Sequence, residues 1–276
     1  MLTIERALLD VQAPAARHKV YALRSPGRFL VSGMLAGGYI GVGVLLMVSA
    51  AGPLTAAGSG WGKLVSGVVF GVALTLVVFG GGELVTSSMM TLTQGALLRA
   101  IRPGAAVGTL LATFVANLMG AMVFGALVAM SGVLHSNAAA GTMLQDMLTA
   151  KAHEGAGELF VRGLLCNVLV CLAIWMCARL QSDGVKLAVI FCAILAFITS
   201  GFEHVVANMT TYAIGLVTGA PDATWSLVGA NLLWVGLGNL VGGAVVVGLA
   251  YWVVGGSPRI RATAYADEEG AALQDH

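Results

Sequence analysis

Long stretches without a charged residue alternate along the chain with short clusters that carry charge. The stretches cover 29–62, 64–82, 103–145, 163–178, 187–202 and 223–258. A helix needs about 20 mostly apolar residues to cross a bilayer, so the pattern predicts six spans. They fall near 29–52, 64–98, 105–131, 160–178, 187–217 and 225–254, and glycine-rich breaks holding Glu83 and Glu203 interrupt the second and the fifth. Ahead of them, Ile4, Leu8 and Val11 recur at helical spacing beside Glu5, Arg6 and Asp10. That spacing predicts a short amphipathic helix on the membrane surface, ended by Pro14.

Composition turns this pattern into a class. Of 276 residues, 58% are hydrophobic and 10% charged, and the mean hydropathy is +0.90. No single water-soluble core conceals that much apolar surface, so the chain reads as an all-α polytopic membrane protein. A net charge of +1 made of scattered basic residues excludes a nucleic-acid partner. Cys166, Cys171, Cys177 and Cys192 fall inside spans without metal or redox spacing and read as small packing residues. The opening "MLTIERALLD" carries charge where a secretory leader has its apolar core, which predicts no cleavage.

Charge also orients the chain. With both termini in the cytoplasm, Arg6, Arg17, Lys19, Arg24, Arg28, Arg99, Arg102, Arg179, Lys186, Arg259 and Arg261 lie inside. Lys63, Lys151 and Arg162 lie outside, a bias that fits the positive-inside tendency and an even number of spans. The domains follow: an amphipathic segment at 1–27, a channel domain at 28–254 and an acidic cytoplasmic tail at 255–276.

An internal repeat sharpens the architecture. "GGELVTSSM" (81–89) aligns with "GFEHVVANM" (201–209) at an offset of 120, and "NLMGAMVFG" (117–125) with "NLVGGAVVVG" (239–248) at an offset of 122. The repeats cover about 28–131 and 155–254. Each half holds three spans, an odd number, so the second half enters the membrane inverted and the two breaks meet near the midplane. Broken helices persist at membrane depth only where protein or a watery cavity takes up their freed backbone groups.

An ionisable pair in hydrocarbon is costly, so Glu203 and His204 mark a substrate or proton path. Asn208 follows His204 by one helical turn and shares its face if the helix resumes there. Glu203 either orients the imidazole or caps the resuming helix, and Glu83 and Thr86 cap the first broken helix or meet the permeant. Lys151 is either an entrance cation or a solvated loop lysine. Phe70 with Leu74, and Asn167 with Val170, share helix faces; spacing alone favours ordinary packing.

The segments "GFEHVVANM", "GGELVT" and "CNVLVCLAIWM" (166–176) resemble signatures of the formate/nitrite transporter family over roughly residues 28–254, most closely its nitrite-channel branch. The resemblance implies an aquaporin-like fold of six spans with spans two and five broken, a homopentamer with one pore per protomer, and passage of small monovalent anions. It makes His204 the central histidine, with Glu203 before it, Asn208 after it and Thr86 as the first-break threonine. It assigns two apolar constrictions to Phe70, Leu74, Leu84, Val170 and Phe197, and completes the polar set with Asn167 and an entrance lysine, Lys151. Val85 departs from the pattern, since the family commonly has an aromatic residue there. No cofactor or metal is implied, and the setting is a bacterial inner membrane in contact with lipid.

A neutral-solute channel of aquaporin type would carry an Asn-Pro-Ala motif in each half, and neither half has one. A membrane enzyme or redox protein finds no second span histidine, because His18, His135, His153 and His276 lie in predicted loops or tails. The sequence therefore points to a nitrite channel, with formate or hydrosulfide as alternative cargo and a proton-coupled carrier as the alternative mechanism.

Overall fold

The computed structural model describes residues 1–260, which are helical almost throughout. The acidic tail beyond them, "YADEEGAALQDH", lies outside the described residues. The first helix, α1 (4–22), does not stop at Pro14. A π-helical stretch at Ala7–Gln12 precedes the proline, and the helix continues through Ala13–Ala22. The wider register accommodates a residue that has no N–H to donate, which is why the proline is tolerated where the sequence suggested an end. The buried side of α1 is covered by protein: Ala7, Leu8 and Ala13 cluster with Met90, Leu98 and Trp175.

Four uninterrupted apolar helices follow a common plan with two interrupted ones. Helix α2 (Pro26–Ala56) leads to α3 (Gly62–Gly80), a break at 81–84, α4 (Val85–Leu97) and α5 (Pro103–Met130). A short turn of helix, α6 (Val133–Ser136), and α7 (Ala138–His153) cross to the second half. There α8 (Ala156–Arg179) leads to α9 (Asp183–Thr199), a break at 200–204, α10 (Val205–Thr218) and α11 (Trp225–Val254), whose Val241–Leu249 stretch is π-helical. Helices α2, α3, α5, α8 and α11 are long and apolar enough to cross a membrane; α9 has 17 residues and α10 has 14.

Helix α7 is not expected from the sequence, because it runs from the end of a charge-free stretch past Asp146 and Lys151, a region that reads as loop between spans. Asn137 starts it by accepting a hydrogen bond from the Ala140 N–H, and Leu144 and Leu148, one turn apart, bury its inner face. The packing exchanges elements between halves. Helices α2 and α5 pair in the first half, as do α8 and α11 in the second, while α4 lies against the π stretch of α11 and α10 lies against α5. Each short helix is therefore held by the last long helix of the opposite half. The main apolar core, with Phe70, Leu74, Leu84, Val170, Phe197 and Val205 among its members, fills the space between the breaks.

Candidate functional site

Both breaks are built the same way. Helix α3 ends on Gly81 at φ 77°, and the corresponding turn after α9 uses Gly201 at φ 75°. A side chain costs about 1 kcal/mol or more in that left-handed region, so the repeated glycines have a backbone reason. The chain then extends through Leu84 (φ −107°, ψ 128°) and His204 (φ −108°, ψ 117°), the residues that precede α4 and α10.

An asparagine from a long helix clamps each break. Asn117 Nδ2 donates to the carbonyls of Gly33 (2.8 Å) and Glu83 (2.7 Å), and its Oδ1 accepts from Val85 N–H at 2.8 Å. Asn239 Nδ2 donates to Gly163 (2.7 Å) and Glu203 (3.0 Å), and its Oδ1 accepts from Val205 N–H at 3.0 Å. The bonds at Glu83, Val85, Glu203 and Val205 satisfy backbone groups that a broken helix leaves without partners, and those to Gly33 and Gly163 tie the breaks to α2 and α8. Sequence reasoning missed both clamps, although the aligned segments at 117 and 239 each begin with the asparagine in question.

Neither glutamate caps a helix, contrary to one reading of the sequence. Glu83 accepts from Lys19 Nζ of α1 at 2.5 Å and from Ser88 Oγ at 2.8 Å. Glu203 takes Lys151 Nζ on both oxygens at 2.5 Å and Asn208 Nδ2 on Oε2 at 2.6 Å. Asn208 Nδ2 also lies 2.8 Å from Asn231 Oδ1. Lys151 is thus no solvated loop lysine, being 8% exposed and bound to its carboxylate. Asn208 turns to Glu203 rather than to the imidazole it was expected to accompany.

The imidazole itself is the cap. His204 Nδ1 accepts from Ala207 N–H at 3.2 Å, so in the neutral ring the proton sits on Nε2. That nitrogen is 3.1 Å from Thr86 Oγ1, on the second residue of α4. The N-termini of the two short helices therefore meet at one hydrogen bond. Phe197 stacks on the imidazole at 6.1 Å between ring centres, and Phe70 meets Phe197 edge-on at 6.0 Å. Leu74, Leu84 and Val170 are buried in the same core. Asn167 stands behind Thr86, donating to its carbonyl at 3.1 Å and to that of Asn239 at 2.7 Å, and Cys171 donates to its Oδ1. Cys171 is one of three buried free cysteines, with Cys166 and Cys177, while Cys192 is exposed.

A second charged group sits beside Glu203. Its N–H donates to the carbonyl of Arg162 at 3.3 Å, and the Arg162 guanidinium binds the carboxylates of Glu154 and Glu158. Burial raises the Glu154 carboxyl above its ordinary 4.5, and Glu203 adds to that, whereas Lys151 and Arg162 pull it down without reversing the shift. Among the described residues, no three His, Cys, Asp or Glu side chains gather into a metal site.

Comparison with known proteins gives concordant relatives. A family model described as formate/nitrite transporter matches residues 7–253. The nitrite transporter NirC of Salmonella typhimurium is 41% identical over 241 residues, 87% of this chain and 88% of its own. A solved FNT family ion channel superposes with a TM-score of 0.82 at 36% identity, covering 90% of this chain and 98% of its own. A pentameric formate channel with formate bound superposes with a TM-score of 0.72 at 27% identity, covering 84% and 98%.

Proposed function

The chain belongs to the formate/nitrite transporter family, and on that premise we propose that it conducts small monovalent anions across a membrane, nitrite foremost, past the contact between Thr86 and His204. The observation that carries this reading is the hydrogen bond joining the N-termini of α4 and α10. Each helix N-terminus bears about half a positive charge, which favours an anion placed between them.

The walls around that point are apolar, so a bare anion entering them would lose hydration worth several kcal/mol. His204 offsets part of that loss. Its Nε2–H, turned toward Thr86 by the bond at Nδ1, is available to an arriving anion once the threonine yields. A weak acid that takes up a proton there crosses as a neutral molecule. Phe70, Leu74, Leu84, Val170 and Phe197 form the constrictions on either side, with Asn167 holding the backbone that presents Thr86. Lys151 with Glu203 and Asn208 form the polar approach on the α7 side.

The architecture follows the same proposal. Six spans, α2, α3 with α4, α5, α8, α9 with α10, and α11, make an aquaporin-like inverted repeat, supported by the matched clamps and matched glutamates. Five copies associate, as in the pentameric formate channel that it resembles. The exposed row Val107, Leu111, Val115, Met119, Val123 and Leu127 on α5 offers apolar surface for a neighbouring copy or lipid. The protein sits in a bacterial inner membrane with both termini in the cytoplasm. Formate is the second cargo, favoured by the formate-bound channel among the neighbours. Competition between nitrite, formate and hydrosulfide in proteoliposome flux, at two pH values, tests the reading. Nitrite should compete best, and flux of none of the three would overturn it.

A further inference from the structure

The outer cluster around Arg162 is not used by the route just described, yet its layout bears on that route. Three carboxylates, Glu154, Glu158 and Glu203, face two cations, Lys151 and Arg162, which leaves a net charge of −1 where an anion would arrive. Both cations are occupied: Lys151 by Glu203, Arg162 by Glu154 and Glu158. Glu154 stands at the α7–α8 connection, and its Oε2 is buried without a hydrogen-bond partner. A carboxylate oxygen in that position favours a proton over a charge.

We propose that Glu154 sets the charge of the anion entrance on the α7 face: ionised, it holds one edge of the Arg162 guanidinium; protonated, it leaves Arg162 tied only to the exposed Glu158 and frees that edge to act beside Lys151 on the incoming anion. The inference rests on the anion-conducting reading above. The raised proton affinity of Glu154 agrees with the geometry, since burial and the Glu203 carboxylate outweigh the two cations. Arg162 is well placed for the role, because its own carbonyl accepts the Glu203 N–H and so fixes residue 162 against the second break. The other groups facing the cluster are few. His153, next in chain, binds the Thr149 carbonyl through Nδ1, Asp222 accepts from Thr149 Oγ1, and Tyr212 carries a buried hydroxyl within reach of the fields of Glu154, Glu203 and Asp222.

Planar bilayers containing the full-length protein allow each side to be acidified alone while nitrite current is recorded. In the wild type, current should rise as the pH falls on one side only, the side bearing α7. Glu154→Gln should raise neutral-pH current about threefold, the effect of removing one charge several ångströms from the path, and flatten the profile on that side. Arg162→Gln should abolish the acid-induced rise, and Glu154→Gln added to it should restore nothing. A wild-type profile in Glu154→Gln, with current and oligomer intact, would overturn the inference alone. Absence of current for nitrite, formate and hydrosulfide in the wild type would overturn the conducting reading and this inference with it.

Discussion

The two breaks share a scaffold and differ in chemistry. Both use a left-handed glycine, an asparagine clamp with the same three backbone partners, and a glutamate bound to a lysine from the preceding segment. The residue before the resuming helix is where they part: Leu84 in the first, His204 in the second, at nearly the same φ and ψ. One site is thus apolar and the other can donate, accept or exchange a proton. The position that supplies Thr86 to the first break supplies Val206 to the second. Repetition builds the frame, and divergence leaves a single imidazole facing a single hydroxyl.

The widest effect should come from breaking what the halves share. Asn117→Ala or Asn239→Ala leaves two backbone groups of a break unpaired, at about 1–3 kcal/mol each, and cuts the tie from that break to a neighbouring long helix. The expected outcome is loss of the assembled protein, read by size-exclusion chromatography after detergent extraction. Next in size is the slit. Phe70→Ala removes an aromatic that meets Phe197 edge-on, and should admit carboxylates larger than formate while costing about 3–5 kcal/mol of stability. Retained exclusion of acetate and lactate would count against a constriction at that ring.

The lysines sharpen the comparison further. Lys151 is 8% exposed against 17% for Lys19, so Lys151→Gln strands a deeper carboxylate. It should lower thermal stability and nitrite flux more than Lys19→Gln does, by about 3 kcal/mol against about 1. Equal losses would mean that the two pairs do the same work. The smallest effect is on stability against pH. Because the folded state raises the Glu154 pKa, folding is favoured as pH falls through that value toward the unfolded 4.5, and the ionised carboxyl costs stability above it. Glu154→Gln should therefore raise Tm slightly at neutral pH and not at pH 4, by differential scanning fluorimetry.

Much of this arrangement was readable before any coordinates. Hydropathy located the long helices, because an apolar stretch bounded by charge has few other uses in a chain this greasy. The repeated G-x-E-x-V-x-x-x-M located both breaks, since glycine beside glutamate within a span requires a turn and a partner. What stayed hidden depends on contacts across distant segments. Lys19 looks like one basic residue among many until α1 folds against α4 and its Nζ meets Glu83, and Arg162 looks like one of three outside cations until Glu154 and Glu158 close on it. His204 was legible as important but not as a helix cap, because which ring nitrogen is engaged depends on where Ala207 N–H points. Helix α7 was missed because its short apolar face straddles the end of an uncharged stretch and the charged residues Asp146 and Lys151 that follow.

The direct test is nitrite uptake into proteoliposomes by wild type, His204→Asn and His204→Leu, measured at an acid and at a neutral pH alongside confirmation of the oligomer. If one imidazole at the meeting of two helix ends eases anions through, His204→Leu falls at least tenfold at both values, on the order of 1.4 kcal/mol of lost stabilisation. His204→Asn, which still donates a hydrogen bond, keeps part of the flux. Wild-type uptake in both variants would contradict the account.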